Sequence, residues 1–172
     1  MKVFLTICLT AMFIALFCIV SSFSTQVATL PPHSFKEYMA KWEGYRHTYY
    51  ADAGGISVGI GHRLNAHVDG VEAYYTDEEI DTFFKADYWR ALQAARSGVR
   101  DFDELPTQVQ WATLSLIWTV GPTGFDRFVK FRSALSARDY SSAARELVRS
   151  KWAIQVGAER VRDHCGAILG KT

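Results

Sequence analysis

Apolar side chains recur at helical spacing from the first residues after Ser34. Phe35, Tyr38, Met39 and Trp42 fall on one face of a segment opened by the capping-box pair Ser34 and Glu37 and closed by Glu43 and Gly44, which predicts a helix over 35–43. The rhythm then changes. Tyr45 to His62 is rich in Tyr, Gly, Val and Ile, with Asp52-Ala53-Gly54-Gly55 at its middle, and predicts a hairpin or three short strands. Thr76 and Glu79 form a second capping-box pattern, and Ile80, Phe83, Phe84 and Tyr88 behind it share a face, so a long helix is predicted over 77–96. Thr107 to Val120 is apolar nearly all round, as a central helix buried on every side should be, and Gly121-Pro122 should stop it. Further helices fit 125–135, 140–150 and 158–168. The chain therefore reads as α+β, with one small sheet early and helices after it.

Ahead of this domain the pattern is different. Lys2 is the only charged side chain before Lys36, and Val3 to Val20 is an almost unbroken apolar run. A run close to the ~20 residues that cross a bilayer, with a single positive charge before it, predicts an N-terminus left inside and a domain sent outward. Residues 1–24 are read as a signal peptide or a signal-anchor segment, with Ser22-Phe23-Ser24 placing small residues where a signal peptidase cuts. Residues 25–33, polar and containing a double proline, read as a linker, and 34–172 as the folded domain.

Composition narrows the function. The 172 residues are 49% hydrophobic and 22% charged, enough for one domain with a sizeable core. The formal net charge of +1 argues against a nucleic-acid binder, which needs an excess of Lys and Arg to displace counterions. The charge is uneven, however: residues 127–172 carry 10 basic and 4 acidic side chains, which suits an anionic polymer lying against the C-terminal part. Cys8, Cys18 and Cys165 make no disulfide framework and fit no tetrahedral zinc site, so neither metal nor cofactor is expected.

Glu43 at a helix end and Asp52 in the turn of the following sheet are nine residues apart and could face each other across a cleft. Glycoside hydrolysis uses two such carboxylates, one protonated to assist the leaving oxygen and one ionised to activate water or stabilise positive charge. The strings around them are more specific. Trp42-Glu43-Gly44-Tyr45-Arg46, Tyr50-Ala51-Asp52 and Gly55-Ile56-Ser57-Val58-Gly59-Ile60-Gly61-His62 resemble the phage-type lysozymes and endolysins of glycoside hydrolase family 24. Thr76 to Glu79 with Asp87, Gln110 to Gly121, and Ser150-Lys151-Trp152 with Arg160 extend that resemblance over about residues 34–170.

The resemblance implies a lysozyme-like fold, with a small sheet-containing N-terminal lobe, a larger helical C-terminal lobe and a cleft between them. It implies a muramidase that cleaves the β-1,4 bond between N-acetylmuramic acid and N-acetylglucosamine and lyses bacterial cells as an endolysin. Glu43 matches the general acid, Asp52 the carboxylate beside the attacking water, and Ser57 the position of a water-holding Thr. The spacing departs here: four residues, not five, separate Asp52 from Ser57. His62 matches a histidine paired with an acid on the next long helix, here Asp87, in a structural role. Arg160 falls where an arginine lies close to the acid. Trp118 and Arg63 are candidates for binding substrate, Trp118 by stacking on a sugar ring and Arg63 by meeting a carboxylate. The expected partners are a peptidoglycan glycan strand and, through residues 3–20, the inner membrane, with the catalytic domain periplasmic or extracellular and monomeric. A lytic transglycosylase, which needs only the acid, and a membrane-tethered wall-binding protein without catalysis are the alternative readings.

Overall fold

The computed structural model describes residues 33–52, 55–65 and 71–171. In chain order these form α1 (His33–Glu43), β1 (Arg46–Asp52), β2 (Gly55–Gly59), β3 (His62–Arg63), α2 (Asp77–Gly98), a 3-10 turn (Phe102–Glu104), α3 (Thr107–Asp126), α4 (Val129–Ser136), α5 (Tyr140–Val148), α6 (Lys151–Val156) and α7 (Ala158–Ile168). A small antiparallel sheet followed by a larger helical region makes this an α+β, lysozyme-like fold. Helix α1 begins at His33, the last residue assigned to the linker. The segment expected to enter a membrane lies outside the described residues; among those described, no helix is long and apolar enough to cross one.

Two apolar clusters carry the fold. The smaller one holds Val58, Leu64, Tyr75 and Ile80 beneath the sheet. The larger one gathers residues from α1 through α7, among them Phe35, Met39, Phe84, Leu92, Leu116, Leu135, Leu147 and Trp152. Phe35 and Met39 are both fully buried, and the Phe35 ring sits 5.5 Å from Tyr88 and 6.0 Å from Trp111. Helix α1 is thus anchored in the helical core although it precedes the sheet, and its last residue, Glu43, is held by that core.

Helix α2 joins the clusters. Ile80 in its first turn belongs to the small one, and Phe84, Tyr88 and Leu92, recurring every four residues, belong to the large one. Its start is fixed locally: Thr76 N–H donates to Glu79 Oε2 at 2.8 Å and Glu79 N–H to Thr76 Oγ1 at 3.3 Å, satisfying two otherwise orphaned donors. The sheet order is β1-β2-β3, with Tyr50 opposite Ser57, Asp52 opposite Gly55 and Val58 opposite His62; a register shift between Arg46 and Tyr50 bends β1.

The expected stop at Gly121-Pro122 is a break within α3. Gly121 takes φ 69°, ψ 168°, a conformation open to glycine, and the chain resumes a helical turn from Pro122, whose missing N–H is no loss at a first helical position. The following helix consequently starts at Val129, later than periodicity placed it. Helix α6 was not anticipated, because six residues are too few to show a period; Ser150 caps it by accepting from Ala153 N–H at 3.3 Å.

Candidate active site

Glu43 ends α1. Gly44 closes the helix with φ 77°, its N–H donating to Ala40 O at 2.9 Å, and the Glu43 side chain remains 19% exposed. Across it comes Arg160 from α7, 7% exposed, with Nη2 2.7 Å from Glu43 Oε1. The contact is an ion pair, and the same Nη2 also donates to Ser115 Oγ on α3, 2.9 Å away. Three helices from distant parts of the chain therefore meet at the carboxylate. The other oxygen, Oε2, faces Gly61. A Cβ built on Gly61 would lie 3.3 Å from Oε2 and 3.5 Å from Trp118 Nε1, and Gly61 has φ 73°, so this turn combines a left-handed backbone with close approach to the acid.

Trp118 fixes that turn from α3: its Nε1–H donates to Ile60 O at 3.0 Å, and its ring lies 5.1 Å from Phe84. It also borders a cavity of about 100 Å³ together with Gly61, Arg63, Asp87, Arg90 and Pro122. Arg63 is exposed at this cavity, with Nη1 against Gly55, where a Cβ would stand 2.8 Å from it. His62 and Asp87 are brought together, Nδ1 to Oδ2 at 2.8 Å, both largely buried; Arg90 holds the second Asp87 oxygen, and the imidazole stacks on Phe83 at 4.4 Å. Ser57 is 1% exposed on the central strand between Tyr50 and Arg63. The Asp52 backbone ends β1 opposite Gly55, and its carboxylate lies outside the described side chains. The C-terminal cations include Arg127, Lys130, Arg149 and Lys151, which with Phe128 and Trp152 line a groove of about 570 Å³.

The phage lysozyme family model matches residues 40–163, a stretch that starts just before Glu43 and ends just after Arg160. The chain belongs to the phage lysozyme family. Among similar proteins, a peptidoglycan hydrolase, gp36 of Pseudomonas phage phiKMV, is 34% identical over 125 residues, which are 71% of this chain and 14% of that protein. The chain thus spans about a seventh of the length of that relative. For this family member the site has components that sequence reasoning did not single out: Ser115 of α3 and His164 of α7 lie beside Arg160, together with Trp42 of the Trp42-Glu43-Gly44 string. Of these, only His164 carried a signal, its i, i+4 spacing from Arg160 marking the two as sharing a helix face.

Proposed function

We propose that this phage lysozyme family member is a peptidoglycan hydrolase, and specifically a muramidase cleaving the β-1,4 bond between N-acetylmuramic acid and N-acetylglucosamine, with Glu43 as general acid. The observation that carries the reading is the Glu43 carboxylate, held at a helix end by the Arg160 ion pair and pressed against the side-chain-free Gly61. In this reading Glu43 gives its proton to the glycosidic oxygen as the bond to C1 breaks, and Arg160 stabilises the carboxylate that the transfer leaves behind. Asp52 takes the proton of the attacking water or stabilises the oxocarbenium charge, and the Ser57 hydroxyl helps hold that water. Trp118 and Arg63 line the substrate side, Arg63 offering its charge to a muramyl or peptide carboxylate.

The substrate lies outside the inner membrane, so the reading includes export or anchoring through residues 3–20; retention of the full-length protein in the cytoplasm would overturn that part. The central test is mass spectrometry of muropeptides released from purified sacculi by the full-length protein and by Glu43→Gln. Reducing N-acetylmuramic acid ends, lost in Glu43→Gln, are expected. Anhydro ends would assign a lytic transglycosylase, and sacculus binding without release by folded protein would assign a wall-binding protein.

A further inference from the structure

Behind the Glu43–Arg160 pair lies a polar layer that the proposed chemistry does not use. Arg160 and His164 sit one turn apart on α7 and both point inward. His164 is fully buried, its ring 5.1 Å from Trp152, 6.0 Å from Tyr38 and 6.1 Å from Trp42. Its hydrogen-bonding roles follow from its neighbours. Lys41 Nζ donates to Asp163 Oδ1 at 3.0 Å, and Tyr38 OH donates to Asp163 Oδ2 at 3.1 Å. The Tyr38 oxygen is left to accept, so the His164 nitrogen beside it, Nδ1 at 3.4 Å, carries the proton and Nε2 keeps a lone pair.

That lone pair has company. Nε2 of His164 and Nε of Arg160 are both buried without a hydrogen-bond partner, and the guanidinium carbon of Arg160 lies 5.7 Å from the Trp42 ring. An N–H donor and an acceptor one turn apart on the same helix face are a pair that a bridging water satisfies. Leaving a buried polar atom unpaired is costly, so an imidazole in an enclosed site that Phe or Met could fill is unfavourable unless its nitrogen is used.

We infer that His164 is a positioning residue, whose Nε2 supplies the acceptor for the polar layer behind Arg160 and so fixes the guanidinium against Glu43. The inference rests on Glu43 being the acid. The groups facing the imidazole are Tyr38 and Lys41 from α1 and Arg160 and Asp163 from its own helix, with Glu43 beyond Arg160. Without the acceptor, Arg160 is held less closely and stabilises less well the carboxylate that proton transfer leaves behind.

The test is a double-mutant cycle on the full-length protein, with pH–rate profiles on sacculi for His164→Phe, His164→Met and His164→Gln, each alone and with Arg160→Met. His164→Phe should lower kcat about tenfold with KM within about twofold. It should also displace the alkaline limb of the kcat profile. His164→Gln, which retains an acceptor, should recover most of both, and neither effect should persist beside Arg160→Met. His164→Met, a flexible apolar filler, is held to the same outcome should the Phe variant not fold. Equal losses in both backgrounds, or an unmoved limb in a folded apolar variant, would overturn the inference. If Glu43→Gln remains active, the assignment of the acid fails instead; if Glu43→Gln is inactive and the cycle additive, only the role of His164 fails.

Discussion

Gly61→Ala offers the sharpest test of the site geometry, because it adds one carbon at the acid. Gly61 has φ 73°, and forcing a residue with a Cβ into the left-handed region costs roughly 1–2 kcal/mol. For a domain of this size that corresponds to about 3–6 °C in Tm. The added methyl would stand 3.3 Å from Glu43 Oε2 and 3.5 Å from Trp118 Nε1, tighter than ordinary contact to the carboxylate. Trp118 is held to Ile60 O, so the carboxylate gives way by a few tenths of an ångström. Misplacing a reacting group by a full ångström costs about a hundredfold, so about three- to tenfold in kcat is expected here. Gly170→Ala is the matched control: φ 65°, the same backbone cost, and nothing within 4 Å of the new methyl. Circular dichroism melts and initial rates of sacculus clearing at 25 °C, well below both transitions, separate the two effects. Similar Tm losses with a rate loss confined to Gly61→Ala are expected. Equal rates in the two variants would refute the placement of Glu43 Oε2 against this turn.

Two further outcomes follow from buried and capping groups. Burial, reinforced by the Arg160 charge, holds the His164 pKa down to about 4 from 6.5, so on acidification the unfolded chain takes up the proton first. The protein should therefore lose up to about 3 kcal/mol between pH 6.5 and 4 through this group, with no further loss below that window. Urea unfolding at pH 7 and pH 4.5 should show a smaller difference in His164→Phe than in the parent, and identical differences would refute the assignment. Thr76→Ala removes the cap of α2 and should cost about 1 kcal/mol in urea unfolding, with kcat on sacculi unchanged at 25 °C because the cap lies at the far end of α2 from the helical core; a cost near zero would show that the capping box contributes nothing.

The sequence alone determined whatever is settled within a few residues of the chain. Thr76 and Glu79 announce the start of α2 because both partners of the capping box lie in one turn, and the apolar stretch from Thr107 identifies a buried helix because no polar face remains for water. The placement of Glu43 at a helix end was legible for the same reason, in Gly44 and the spacing of Phe35, Met39 and Trp42. Tertiary structure alone decided what those faces meet. Periodicity says that α1 and α7 each have an inner side, and the family resemblance puts Arg160 near Glu43; neither says that Ser115 takes a hydrogen bond from Arg160 or that His164 is sealed behind the pair. Nor could it tell that α1 packs into the helical core, carrying Glu43 with it, while the sheet keeps a separate small core. These arrangements are fixed by contacts between segments far apart in sequence, whose side chains have no local preference for one another and are brought together by the burial of apolar area that all the helices share.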